Sequence, residues 1–116
     1  MSTNIYFVGA RADLWGGLET FERRVYKHEV KETEKSYIFD NKRIAKEKLS
    51  KIEIVGDSTV EISCSTYTLE TNLDQAKEDV VEAVRNHAKL RLSEMKRLYR
   101  LTESSPVETF KDKTSY

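Results

Sequence analysis

The sequence predicts an α+β fold: a small antiparallel sheet of about four strands, in two hairpins, followed by a long or broken C-terminal helix. Three observations carry this prediction. Residues 51–69 form two strand-like arms, "KIEIV" and "TVEISCSTYTL", around the turn signal "GDS". Residues 18–40 form another hairpin, with "SYIFD" returning after the polar turn "KETEK". From Leu73 to Leu101 there is neither glycine nor proline, and apolar residues recur at helical steps.

The elements follow in order. Asn4–Val8 is the first strand, and Gly16-Gly17 after it reads as a turn. Leu18 to about Val30 is a long exposed strand, with Thr, Phe, Val and Tyr among charges. Residues 36–40 are a short strand, and "NKRIAKEKLSK" (41–51) is a loop or a helical turn or two. In the second hairpin Val60, Ile62, Cys64, Thr66 and Thr68 alternate with Glu61, Ser63, Ser65 and Tyr67. A period of two puts the first set on one face, the buried one, with Cys64 in the core. A reactive thiol is the alternative, and no neighbouring histidine supports it.

Asn72 opens the helix, three residues before Gln75, the spacing of a capping box. Unbroken to Leu101, the helix runs roughly 43 Å at 1.5 Å per residue. A strand of ordinary length spans only about 17–20 Å. Either the helix bends, or its far half packs on another chain. Leu73, Ala76, Val80, Val81 and Val84 form the near seam, which Ala88, Leu92, Met95 and Tyr99 continue. Leu90 and Leu101 lie off it, in line with Ala83. Leu90, Met95 and Leu101 are therefore the expected contacts of an oligomer. Residues 1–101 read as one domain, and residues 102–116, broken by Pro106, as a flexible polar tail.

A chain of 116 residues fits one domain. With 38% hydrophobic residues it is too apolar for a disordered chain. Twenty basic and twenty acidic residues leave no net charge, which argues against a protein that coats DNA. No apolar run is long enough for a membrane span. The start lacks the basic region of a secretory signal. Cys64, the lone cysteine, has no disulfide partner in the chain. A cytoplasmic setting is expected. His28 and His87 have no partners at metal-ligand spacing. The chain contains no G-x-x-x-x-G-K-[ST], G-x-G-x-x-G or G-x-S-x-G. No catalytic residue, metal or cofactor is assigned, and the expectation is a protein that is not an enzyme.

Charge is concentrated late in the chain. From Arg85 to Arg100 there are six Lys or Arg and one Glu. Acid at the start of the helix and base at its end complement the macrodipole, by about 0.3–1 kcal/mol per charge and only within the end turns. Arg85, Lys89 and Arg91 lie too far from the C-terminal turn to gain much. Arg85, Lys89, Lys96 and Arg100 share one face. These features single out Arg85, Arg91, Lys96, Arg97 and Arg100 as candidate phosphate cations, with Tyr99 and Trp15 as stacking surfaces. An oligomer that gathers such cations at an interface needs an anion between them.

The hairpin "VKETEKSYIF", followed by "NKRIAKEKL" in a short, charge-rich chain, resembles small bacteriophage proteins. The order of strands and then a helical segment, over roughly residues 4–101, is similar to the Thoeris anti-defence sponges. Those phage proteins assemble as oligomers and hold cyclic-nucleotide immune signals between subunits. The resemblance implies a homo-oligomer in the host cytoplasm that sequesters a small anionic cyclic-nucleotide or ADP-ribose-type ligand without cleaving it. Two alternatives stand beside it. One is an inhibitor that docks on a host nuclease, polymerase or defence complex, where the strand 18–30 could add to another sheet. The other is a small nucleic-acid binder that uses the basic helix.

Overall fold

The computed structural model describes residues 3–14 and 18–104. Trp15, the Gly16-Gly17 turn and residues 105–116 of the expected tail lie outside the described residues. The fold is α+β, with an antiparallel six-stranded sheet and one long C-terminal helix. The strands are β1 (Thr3–Asp13), β2 (Thr20–Glu32), β3 (Ser36–Phe39), β4 (Lys42–Ala45), β5 (Glu53–Asp57) and β6 (Glu61–Thr68). Their order across the sheet is β4-β3-β2-β1-β6-β5.

The sheet has six strands where about four were expected: the first strand joins the four of the two hairpins, and β4 adds a sixth. The first strand runs five residues past Val8, through "GARAD", where small residues hide the alternation. It pairs with β2 along its whole length, from Thr3 opposite Val30 to Asp13 opposite Thr20. In the segment read as a loop or helical turn, Lys42–Ala45 is a strand and Lys46–Lys48 a single 3-10 turn. The hairpin β3–β4 closes through Asp40 and Asn41, both left-handed at φ 44° and 62°. That is the two-residue turn that matches strand twist, and Asp and Asn tolerate it better than most residues.

The second hairpin forms as expected, with its turn two residues later. Ser58–Val60 make the turn, and the Ser58 hydroxyl oxygen accepts from the Val60 and Glu61 backbone N–H groups at 3.3 and 3.1 Å. Gly56 sits inside β5, at a bulge opposite Ser63. A Cβ there would come within 2.9 Å of the Ser63 hydroxyl, so glycine suits this close approach.

Helix α1 (Leu73–Ser104) is continuous over 32 residues and passes the expected end at Leu101. It follows a 3-10 turn at Glu70–Asn72. The Gln75 amide donates forward to Asp79 at 2.8 Å and is not turned back on Asn72, so its side of the expected capping box is not made.

The core has two parts, one on each face of β1 and β6. On one face α1 lays Ala76, Val80 and Val84 over Val8, Ala10, Ile62 and Cys64. On the other, the β3–β4 hairpin folds across, and Tyr37 and Phe39 close over Ile5 and Val30. Both faces of β6 are covered: Ser63 and Ser65 are buried along with Cys64 and Thr66, with Ser63 between Arg11 of β1 and Gly56 of β5. Cys64 is 1% exposed, as the alternation predicts. Among the described residues no helix is long and apolar enough to cross a membrane.

Candidate functional site

Strand β1, with 11 residues, spans about 36 Å at roughly 3.3 Å per residue. The helix from Leu73 to Met95 covers about 33 Å at 1.5 Å per residue. The two run side by side, and the helix then leaves the sheet behind. Every residue from Leu92 to Ser104 is exposed, and the molecule is 73 Å long.

Where the helix leaves the sheet, an open groove of about 560 Å³ remains. Its walls are the end of β1, the start of β2, the β5–β6 turn and the helix. Ala12, Leu14, Phe21, Val60, Ile62, Ala88, Leu92 and Met95 line it. The backbone N–H of Leu14 donates to Val60 at 2.8 Å and holds two of these walls together.

Arg91 closes the groove on the β5 side. Its Nε donates to Asp57 Oδ1 at 2.8 Å, and its Nη1 donates to Glu94 at 3.0 Å. Its Nη2 also reaches the Asp57 carbonyl at 3.2 Å. The Arg91 hydrogen bond, helped by its charge, holds the Asp57 carboxyl below its ordinary range. His87 Nδ1 stands 4.0 Å from the same carboxylate. Arg91 thus clamps the helix to the sheet. Its donors are engaged by carboxylates, which separates it from the other candidate cations.

Those others lie elsewhere on the helix. Arg85 and Lys89 border a shallow groove of about 540 Å³ together with Arg23 of β2, Lys77, Glu78 and Glu82. Lys96, Arg97, Tyr99 and Arg100 stand on the projecting end, all exposed. None of Arg85, Lys89, Lys96, Arg97 and Arg100 makes an ion pair with another described residue. Within one chain the predicted ligand residues therefore fall in three places: the clamp, the groove beside Arg23, and the projecting end.

The expected interface residues divide too. Met95 lines the apolar groove. Leu90 and Leu101 do not line it. They stand at the far side of a wide apolar arc that includes Leu92, Leu98 and Tyr99, all about half exposed or more. On a helix of 3.6 residues per turn this arc continues the direction of Ala76, Val80 and Val84, which face the sheet. The apolar face is the same along the helix, and only its near half has something beneath it.

Sequence reading missed Arg23, whose guanidinium carbon lies 4.8 Å over the Phe21 ring. It also missed Asp57, the partner of Arg91. Only pairing across the fold brings each to the helix. Among the described residues no group of three or more His, Cys, Asp or Glu side chains is placed to hold a metal ion. Comparison with family models, curated proteins and solved structures finds no match to this chain.

Proposed function

We propose that the protein is a non-enzymatic, phage-type binding protein that assembles with its own kind and sequesters a small anionic, nucleotide-like molecule. One observation carries the reading: five cations on α1, Arg85, Lys89, Lys96, Arg97 and Arg100, lack ion-pair partners among the described residues. They flank an apolar arc that has no cover of its own. Burying that arc against another copy removes apolar surface from water and brings like charges together. An anion between the subunits offsets their repulsion, and phosphate is the anion whose geometry suits arginine.

The test is titration of the purified protein with ADP-ribose and with cyclic dinucleotides, alongside the double variant Arg85→Gln, Lys89→Gln. Saturable binding, weakened at least tenfold in the variant, is the expected result. Absence of heat with every nucleotide would overturn the reading.

A second reading has its own support. Strand β2 is bonded to β1 throughout but to β3 only at Lys31 and Glu32, so Thr20–Glu29 present an open edge. Such an edge accepts a strand from a host protein. Copurification of a single host protein, abolished by a proline at Arg24, would favour it.

A further inference from the structure

On the face of the sheet opposite α1, a second basic cleft forms that has no part in the reading above. Strand β4, the 3-10 turn after it and the segment entering β5 converge there on β6. Lys42, Arg43, Lys48 and Lys51 line the cleft, which encloses about 330 Å³. Glu53 is the one carboxylate in the lining. No ion pair joins any of the four cations to another described residue. Lys46, in the same stretch, is instead paired with Glu32 at 2.8 Å and lies over the Tyr37 ring.

The floor is fixed and polar. The Ser50 N–H donates to the Tyr67 carbonyl at 2.7 Å, and the Thr66 hydroxyl donates to the Lys51 carbonyl at 2.8 Å. The turn carrying Lys48 and Lys51 is thereby tied to β6. Ser50 is left-handed at φ 62°, which turns the chain back toward the cleft. The four cations are exposed side chains gathered around one small volume, and an anion seated among them would screen their mutual repulsion. A cluster of cations over a hydrogen-bonded polar floor is an arrangement that recognises condensed phosphate.

We infer that this cleft binds the di- or triphosphate group of a small molecule, in a single chain and without assembly. The volume suits a phosphate chain and leaves little room for a whole dinucleotide. Tyr67, half-buried against the second core, also lines the cleft and is the aromatic residue there that a base or sugar attached to that chain would meet.

The experiment is calorimetric titration with sodium tripolyphosphate and, separately, with ATP. It is run on the wild-type protein, on Arg43→Gln/Lys48→Gln, and on a control that loses the same charge elsewhere, Lys27→Gln/Lys31→Gln. Both substituted positions of the first variant are exposed, and thermal melts check that each variant is folded. Tripolyphosphate is expected to bind the wild type and the control alike, and the Arg43/Lys48 variant at least tenfold more weakly. Charge-keeping Arg43→Lys/Lys48→Arg should restore binding. Tighter binding of ATP than of tripolyphosphate would assign the source to a nucleotide, and equal binding to the phosphate chain alone. Equal binding by wild type and the Arg43/Lys48 variant, or none at all, would overturn the cleft. If binding falls only in Arg85→Gln/Lys89→Gln, the cleft is overturned and the helix reading stands.

Discussion

At the residue scale the most informative side chain is Arg91. Local sequence groups it with the other late cations. The fold removes it from that group, because Asp57 lies 34 positions away and is brought beneath it by the β5–β6 hairpin. Its role is legible only once that pairing is known. The clamp has a pH signature. Asp57 titrates below its ordinary range in the folded chain, chiefly through its Arg91 hydrogen bond. Its contribution is therefore present above the ordinary carboxylate pKa and is lost as pH falls through the depressed value. Asp57→Asn should lower the melting temperature at neutral pH and flatten the acid limb of its profile, because the substitution removes the contribution that acid removes in the wild type. A steep acid limb in that variant would show that other carboxylates control it. Cys64 supplies a second residue-scale outcome. Burial, and then the Asp57 charge, push its thiol up. The native protein should resist thiol reagents and label only after unfolding, read by mass spectrometry. The period-two pattern around Cys64 was enough to predict this.

At the element scale, legibility followed the strength of local pattern. The long β2, the β5–β6 hairpin and the helix carry clear periodicity or length, and each formed. Strand β4 did not announce itself. It has four residues, two of them charged, and its turn at Asp40-Asn41 carries a weaker signal than Asn-Gly. Burial of Ser63 and Ser65 was illegible as well, because it depends on neighbours that only the fold brings to β6. The basic cleft was hidden for the same reason, since its residues come from 42–53 and 65–67. For the helix, the question is how one apolar seam behaves with and without a sheet beneath it. Val80 is 2% exposed and Leu92 is 55% exposed. Val80→Ala should cost about 1.5–3 kcal/mol by urea unfolding. Leu92→Ala, at dilutions where the protein is a single chain, should stay within about 0.5 kcal/mol. Equal costs would mean that the far half of the helix packs on its own chain.

At the scale of the whole molecule, the proposed assembly turns on the helix end beyond Met95, which would decide how two copies meet. Two helices crossing in parallel, in register, would set Lys96, Arg97 and Arg100 against their own copies. An antiparallel crossing centred on Met95 instead brings the same flanks of the two helices together and sets Lys89 beside the partner's Arg100 and Glu103. The apolar steps agree: Met95 meets its own copy, and Leu92 meets the stretch at Leu98 and Tyr99. The antiparallel pair therefore buries apolar surface and gives Lys89 one opposite charge in the partner's Glu103, while the partner's Arg100 beside it leaves a like-charge contact for an anion to screen. In this pairing each projecting end lies along the other copy's apolar groove. The expected outcome is sedimentation above single-chain mass at micromolar concentration, with Leu92→Gln/Met95→Gln reducing it to a single chain without loss of the fold. Glu103→Lys should weaken assembly, and Lys89→Glu added to it should restore it, because the exchange re-forms the pair with its sign reversed. If the wild type sediments as a single chain throughout, the shared-cation site on the helices has no assembly to form in. The sheet-side cleft would then be the remaining place for an anion.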